Sequence, residues 1–179
     1  MKNIEMVIAG FGGQGLLFSG KVLAYAGLLE GRELSWLPSY GPEMRGGTAN
    51  CNVILSDTPV GSPIVDHPNV LMVMNAPSLD KYEPAVTEGG CIFLDSTLIT
   101  REVERKDVTV YRVPATQMAN DMGTPGLANM ILLGAVIAKT GCIEEAGIPE
   151  ALKKVIPARK MDLFDANMAA LSAGREYVS

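Results

Sequence analysis

The stretch that decides the fold is Gly10-Phe11-Gly12-Gly13-Gln14-Gly15, which follows a short apolar run at residues 5–9 and precedes a long apolar segment at residues 16–29. This G-x-G-x-x-G pattern, placed between a predicted strand and a predicted helix, is typical of the first turn in a doubly wound α/β domain. The first glycine permits a tight turn, the second a close approach to the backbone, and the third close packing of helix on strand. Free N–H groups at the helix start also predict an anion site.

The rest of the chain alternates short β-rich runs with longer helical ones, which predicts a doubly wound, mostly parallel sheet with helices on both faces. The predicted strands are rich in Val, Ile, Leu and Met, as strands buried on both faces are, and lie at residues 5–9, 33–37, 49–55, 70–74, 91–94 and 108–113. Helices are predicted at residues 16–29, 78–86, 115–121, 127–139, 149–155 and 162–177, with Ser78 and Asp162 as N-caps. Residues 55–67 predict a hairpin or a long loop, so some antiparallel pairing is compatible with the pattern.

Size and composition indicate one domain over residues 1–179, because no charge run or Ser/Gly-rich stretch separates two parts. The longest apolar segment, residues 127–138, is interrupted by Asn129 and Gly134 and is too short to span a bilayer. The first residues lack the layout of a signal peptide, so we expect a cytoplasmic protein. A net charge of −5 without a Lys/Arg cluster disfavours nucleic acid and membrane surfaces as partners.

Two predicted helices are apolar around their whole circumference, at residues 16–29 and 127–138. Such a helix is buried on all sides. A domain of this size can hardly cover both, so one interpretation is that a partner chain covers at least one of them. The other interpretation is a large core beneath a layer of helices.

The glycine turn, residues 10–15, lacks one companion that a dinucleotide site requires. An acidic residue at the end of the second strand should bind the ribose, but this position reads Leu37, Pro38, Ser39 and Tyr40. The turn is therefore better interpreted as a phosphate contact or as a purely structural turn than as a nicotinamide or flavin site.

A second glycine-rich segment, the 39–47 loop, follows the second predicted strand and should border the same ligand crevice. Tyr40, Glu43 and Arg45 would project from it. The planar guanidinium of Arg45 suits a phosphate or a carboxylate, although an ion pair with Glu43 that holds the loop is an equally good interpretation.

The remaining polar residues give no set of catalytic or metal-ligating groups. Asn75, Asp95 and Thr116 stand at predicted strand ends, where they could line the crevice or serve as turn and cap residues. His67 precedes a proline in a predicted loop and is interpreted as a surface residue. The cysteines are far apart in sequence and are predicted to be reduced core thiols, namely Cys51, Cys91 and Cys142.

Three motifs together resemble the γ subunit, or γ domain, of the 2-oxoacid:ferredoxin oxidoreductases. They are GFGGQG at residues 10–15, SYGPEMRGG at residues 39–47 and NMILLG at residues 129–134. The spacing between the first two makes the resemblance specific, and it extends over nearly the whole chain. The wording of the second motif looks most like the 2-oxoglutarate enzymes, with 2-oxoisovalerate enzymes next.

The resemblance implies an enzyme that oxidatively decarboxylates a 2-oxoacid with thiamine diphosphate and Mg, forms acyl-CoA, and passes electrons through 4Fe-4S clusters to ferredoxin. In the family, α, β and δ subunits hold most of these groups, so no cofactor is expected on this chain alone and no residue of it is expected to be catalytic. By position in the family motifs, the residues expected near coenzyme A are Gly10, Gly12, Gly13, Gln14, Gly15, Tyr40, Glu43 and Arg45. Alternatives are the related β subunit of indolepyruvate oxidoreductase, a free-standing nucleotide-binding module, and a purely architectural subunit.

Overall fold

The computed structural model of the protein describes residues 3–39 and 47–179. All six predicted strands are present, and each ends within two residues of its predicted limits. They are β1 (Ile4–Phe11), β2 (Glu33–Ser39), β3 (Thr48–Ser56), β4 (Val70–Val73), β5 (Cys91–Asp95) and β6 (Thr109–Val113).

The strands form one sheet in the order β2-β3-β1-β4-β5-β6. β3 runs antiparallel to both of its neighbours, whereas the pairs β1–β4, β4–β5 and β5–β6 are parallel. The prediction of a mostly parallel α/β sheet is therefore confirmed. The segment predicted as a hairpin or a long loop, residues 55–67, does not supply a hairpin: residues 55 and 56 end β3, and residues 57–67 form a loop without a strand. The antiparallel pairing arises because the connection from β2 to β3 is too short for the crossover that a parallel pair needs.

The six α-helices lie close to the predicted ones: α1 (Leu16–Leu29), α2 (Ala76–Tyr82), α3 (Ala115–Asp121), α4 (Ala128–Thr140), α5 (Ile148–Val155) and α6 (Phe164–Val178). Both predicted N-caps are wrong. α2 begins earlier, and Asn75 caps it by accepting a hydrogen bond from the N–H of Ser78 over 2.9 Å. Asp162 lies inside a 3-10 segment, Ala158–Leu163, that leads directly into α6, so no separate helix start remains for it to cap.

Helices lie on both faces of the sheet, as predicted, but very unequally. Along β1, Ile4, Met6 and Ile8 point into a core formed with α1, α3, α4, α5 and α6. Val7 and Ala9 point into a smaller core on the opposite face, where only α2 and loops cover the strands. The imbalance has a clear origin, since the connection from β5 to β6 contains no helix.

The two all-apolar helices differ in how fully the chain itself covers them. In α4, every residue from 128 to 137 is buried, so the large core is the correct interpretation for this helix. In α1, the last two residues, Leu28 and Leu29, are 57% and 46% exposed. None of the helices in the described part of the chain has the length and apolar character that crossing a bilayer requires.

The crossing of α4 and α6 depends on two glycines. A Cβ atom built on Gly134 would overlap the carbonyl oxygen of Leu171, and one built on Gly174 would overlap that of Ile131. The backbones of the two helices are therefore in direct contact, which side chains at these positions would prevent.

Candidate functional site at the glycine turn

The glycine turn connects β1 to α1 at the carboxyl edge of the parallel strands. Gly13 and Gly15 have φ angles of 94° and 76°, a left-handed region that glycine enters without steric cost. The N–H of Gly12 donates to the carbonyl oxygen of Gly47 over 3.0 Å. The described end of the 39–47 loop therefore lies against the glycine turn, as the sequence predicted for that loop.

Two glycines of the turn are needed for close packing. A Cβ atom on Gly10 would lie 3.2 Å from Leu16 Cδ1 and from Met74 Cβ, and one on Gly15 would lie 2.6 Å from Asn129 Nδ2. Gly10 therefore allows contact between β1, α1 and the end of β4, rather than a left-handed turn. Gly15 packs against α4 rather than against a strand. These roles differ from the predicted ones, which were a tight turn for the first glycine of the motif, Gly10, and packing of helix on strand for the third, Gly15.

Asn129 connects the turn to the start of α4. Its side chain is 3% exposed, and its Nδ2 donates to the carbonyl oxygen of Gly15 over 3.0 Å and to Ser19 Oγ over 2.9 Å. In the sequence, Asn129 was identified only as an interruption of an apolar run and as the first residue of the NMILLG motif. A polar residue inside an otherwise apolar helix was the available signal for a buried hydrogen-bonding role.

Gln14 folds back over its own turn. Its Oε1 accepts a hydrogen bond from the N–H of Phe11 over 2.6 Å, and its Nε2 donates to the carbonyl oxygen of Met74 over 3.2 Å. The side chain thus bridges the ends of β1 and β4, whose following helices pack on opposite faces of the sheet. In doubly wound sheets this switch point is where a dinucleotide binds. Here the side chain of Gln14 lies across the ends of the two strands, and its Oε1 accepts the hydrogen bond from the N–H of Phe11.

We expect Gln14→Ala to lower the free energy of unfolding by about 1–2 kcal/mol, because one exposed and one part-buried hydrogen bond are lost. The amide proton of Phe11 should also exchange faster with solvent. Urea denaturation and amide exchange by NMR would measure the two effects. Gln117 is a suitable control, because its amide bonds to Asp121 on the exposed surface of α3 and Gln117→Ala should change little. Unchanged exchange at Phe11 would contradict the assigned contact.

The other polar residues at strand ends have structural partners. Asp95 is fully buried and accepts hydrogen bonds from the N–H of Thr97 over 3.0 Å and from Thr116 Oγ1 over 2.6 Å. Asn75 is the N-cap of α2. Of the two interpretations offered for these residues, the turn and cap roles are therefore the correct ones.

A shallow groove lies beside the glycine turn on the side facing α1. Its volume is about 260 Å³, and its lining is almost entirely apolar: Phe11, Gly12, Gly13, Gly15, Leu16, Leu17, Phe18 and Ala49. Phe11 is 41% exposed, and α1 begins here without a side-chain cap. The groove therefore offers an aromatic ring and backbone N–H groups side by side. Tyr40, Glu43 and Arg45, which the sequence assigned to the same region, lie outside the described residues.

The thiols and the histidine are placed as predicted, with one difference. Cys51 and Cys142 are buried and His67 is exposed, but Cys91 is only half-buried. Burial raises the pKa of the Cys51 thiol to about 12, although the indole N–H of Trp36 opposes the shift. Within residues 3–39 and 47–179, no group of three or more His, Cys, Asp or Glu side chains could hold a metal ion.

A cluster of charged side chains on the α2 face was not predicted. Glu83 is 4% exposed, and its carboxylate lies 2.8 Å from Arg101 and accepts a hydrogen bond from the N–H of Arg105 over 3.0 Å. Burial alone would raise the pKa of Glu83, but the hydrogen bonds from Arg105, Arg101 and Glu104 outweigh it and hold this pKa below its ordinary value. The cluster attaches the helix-free connection between β5 and β6 to the domain.

The fold and the glycine turn define a doubly wound α/β domain, and comparison with known families identifies the family to which it belongs. The model of the family described as pyruvate ferredoxin/flavodoxin oxidoreductase matches residues 5–177. The chain therefore belongs to this family.

Three known proteins show the range of the likeness. The chain is 44% identical to ketoisovalerate oxidoreductase subunit VorA of Methanothermobacter thermautotrophicus over 98% of its own length, but it spans only 36% of that protein. It is 33% identical to 2-oxoglutarate synthase subunit KorC of Methanocaldococcus jannaschii, over 96% of this chain and 92% of that protein. The solved γ subunit of a keto/oxoacid ferredoxin oxidoreductase from Geobacter sulfurreducens superposes with a TM-score of 0.83 at 29% identity, covering 97% of each chain.

Proposed function

We propose that this chain is the γ subunit of a 2-oxoacid:ferredoxin oxidoreductase, an enzyme that oxidatively decarboxylates a 2-oxoacid to acyl-CoA and reduces ferredoxin. The observation that carries the proposal is the family match over residues 5–177. A likeness to a solved γ subunit over 97% of both chains supports it. The VorA subunit is about three times as long as the region it shares with this chain. The activity is therefore proposed for the assembled enzyme and not for this chain alone.

The redox groups of that enzyme are assigned to partner subunits, which we propose to be α, β and δ. A 4Fe-4S cluster requires four convergent thiolates, and this chain has three dispersed cysteines. Cys51 and Cys142 lie inside the core, and burial raises the pKa of both thiols. These residues do not fit a cluster. Thiamine diphosphate and Mg are likewise assigned to a partner, and the role proposed for this chain is assembly and part of the surroundings of coenzyme A.

Coenzyme A is proposed to contact the groove beside the glycine turn. The backbones of Gly12 and Gly13 are accessible there, and Phe11 presents an exposed ring against which a base could stack. The hydrogen bond between Gly12 and Gly47 places one end of the 39–47 loop at this groove. A guanidinium at position 45 would suit a phosphate group of the ligand.

A free-standing dinucleotide-binding module is not favoured. Gln14 occupies the crevice at the switch point, and β2 ends at Ser39 rather than at an acidic residue. Tight binding of NAD or FAD by the isolated chain in a calorimetric titration would favour that function instead.

Two substrates follow from the relatives. The relative with the higher sequence identity is a ketoisovalerate oxidoreductase subunit, whereas the relative whose length is similar to that of this chain is a 2-oxoglutarate synthase subunit. We propose a 2-oxoacid of one of these two kinds, selected mainly by the partner subunits.

The test is purification of the tagged chain with the proteins bound to it, followed by assays with 2-oxoglutarate and 2-oxoisovalerate. We expect a thiamine-binding subunit and an iron–sulfur subunit to co-purify, and ferredoxin reduction to require coenzyme A. Reconstitution without this chain is the matched control. An enzyme that assembles and turns over equally well without it would overturn the proposal.

A contact between Arg45 and coenzyme A makes a separate prediction. Arg45→Ala should raise the KM for coenzyme A about tenfold in the assembled enzyme, with little change in kcat, because a charge-assisted hydrogen bond to phosphate contributes about 1.5–3 kcal/mol. Arg159→Ala removes an exposed guanidinium elsewhere on the surface and should leave the KM unchanged. An unchanged KM in Arg45→Ala would indicate a purely architectural role for the glycine turn and the 39–47 loop.

A further inference from the structure

The carbonyl oxygen of Gly15 accepts more hydrogen bonds than the start of α1 requires. It accepts the first backbone bond of the helix, from the N–H of Ser19 over 3.1 Å. The amide of Asn129, which belongs to α4, adds a second donor at 3.0 Å. A carbonyl oxygen can only accept, so the nitrogen of this amide must face Gly15. The bond from Ser19 already gives the carbonyl a partner, and the contact with Asn129 therefore needs another explanation.

The stability of α4 does not explain an amide at this position. Oδ1 of Asn129 is buried and has no hydrogen-bond partner. The residues that follow it in the helix, 130–137, are all apolar and buried. A buried polar atom without a partner lowers stability, and an apolar side chain at position 129 would avoid that loss. The amide therefore costs stability in α4, and its benefit must lie at the glycine turn.

The two hydrogen bonds hold the Gly15 carbonyl towards the interior of the domain, because Ser19 and Asn129 are both buried. The next three N–H groups of the chain are those of residues 16–18. They make no hydrogen bond to any described residue, and these residues line the groove beside the turn. With the carbonyl oxygen directed inward, the start of α1 presents hydrogen-bond donors to the groove. Such an arrangement suits an anionic group.

Glycine at position 15 is required by the turn but leaves it easily deformed. Gly15 has a φ angle of 76° and a ψ angle of 18°, and an added Cβ atom would lie 2.6 Å from Nδ2 of Asn129. Because glycine also enters other backbone conformations at little cost, the peptide after Gly15 could rotate. Its carbonyl oxygen would then turn towards the groove, where it would repel an anion. The hydrogen bond from Asn129 opposes this rotation.

We propose that Asn129 is a positioning residue for the groove beside the glycine turn. It fixes the Gly15 carbonyl inward, so that the first N–H groups of α1 stay directed at an anionic group of the bound ligand, namely a phosphate of coenzyme A. This inference rests on the proposed function, because it names the part of coenzyme A that meets the start of α1. Asn129 itself is buried and acts through the peptide of Gly15.

Steady-state kinetics of the assembled enzyme test the proposal. Asn129→Ala should raise the KM for coenzyme A about tenfold and change kcat by less than about twofold, because the donors lose their fixed direction while the reacting groups stay in place. Asn129→Ser is a second, less disruptive variant. Its hydroxyl is one bond shorter than the amide and cannot span the distance to the Gly15 carbonyl, so the KM should rise similarly.

Asn167 in α6 provides a closely matched control. It is as buried as Asn129, its Nδ2 donates to the carbonyl oxygen of Leu163 over 2.8 Å, and its Oδ1 also lacks a partner. Asn167→Ala removes the same kind of contact away from the groove, so it should lower stability comparably and leave the KM unchanged. Ser19→Ala keeps the bond between Asn129 and Gly15 and should also leave the KM near the wild-type value. Urea denaturation would compare the stabilities.

Three results would overturn the positioning role while leaving the proposed function intact. They are an unchanged KM in both Asn129 variants, an equal rise of the KM in Asn167→Ala, and a rise in Ser19→Ala as large as that in Asn129→Ala. Each would show that the contact between Asn129 and Gly15 does not act on coenzyme A. Ferredoxin reduction by the wild-type enzyme that did not depend on coenzyme A would instead remove the proposed function, and this inference with it.

Discussion

Gly174→Ala is expected to lower the free energy of unfolding by about 3 kcal/mol, although alanine is a better helix former than glycine. The added methyl group would overlap the carbonyl oxygen of Ile131, which belongs to the backbone of α4 and has no rotamer that could move aside. The two helices would have to separate, and α4 lies at the centre of the main core. Urea denaturation of the isolated chain would measure the loss.

Gly134→Ala should produce a similar loss, because its methyl group would meet the carbonyl oxygen of Leu171 on the other side of the same contact. Gly147→Ala is the matched control, since nothing lies within 4 Å of its added Cβ atom and its φ angle of −83° suits alanine. That variant should be neutral or slightly stabilising. A stability of Gly174→Ala equal to that of Gly147→Ala would show that the helices are not in backbone contact.

Glu83→Ala is expected to cost about 3 kcal/mol of stability, because it removes a buried carboxylate from its partners. Arg101 would keep its contact with Asp80 and its hydrogen bond to the carbonyl oxygen of Glu102 but would lose its buried carboxylate partner, and the N–H groups of Glu104 and Arg105 would lose their acceptor. Amide exchange in the connection between β5 and β6 should accelerate in the variant. Glu102→Ala serves as the control, since the side chain of Glu102 is 84% exposed and lies 3.7 Å from Arg112. Equal losses in the two variants would contradict a special role for Glu83.

The same carboxylate predicts how stability depends on pH. The pKa of Glu83 is lower in the folded protein than in the unfolded chain, so the unfolded state binds more protons in acid. Its contribution is complete above the ordinary glutamate pKa of about 4.3 and is lost as the pH falls through the folded value. The difference in unfolding free energy between the wild type and Glu83→Gln should therefore shrink below about pH 4. A difference that is constant down to pH 2 would contradict the shift.

Local patterns were sufficient to predict most of the secondary structure. The β-rich runs at residues 91–94 and 108–113 could hardly form anything but strands between their turn residues, and residues 16–29 form a helix with the predicted limits. The errors lie at helix starts, where Asn75 competes successfully with Ser78 for the N-cap position. Both residues are good caps, and only the path of the backbone after β4 decides between them.

The candidate site was predicted only in part. The left-handed glycines of the turn and the position of Gly47 at the described end of the 39–47 loop follow from local sequence, because left-handed turns and strand ends have strong local signals. The fold-back of Gln14 and the role of Asn129 do not, because Gln14 contacts Met74 sixty positions away and Asn129 contacts Gly15 from α4. Such contacts exist only after the chain has folded.

The sequence by itself determined the helices and strands, the mostly parallel sheet, the glycine turn and the resemblance to an oxidoreductase family. Each of these depends on residue types and on their spacing along the chain. The tertiary structure decided the reversed direction of β3, the unequal helix layers and the Glu83 cluster. It also decided that the crevice beside the glycine turn contains the side chain of Gln14. The physical reason is that these features arise from contacts between residues far apart in the chain, and the energy of such contacts depends on packing that no local pattern records.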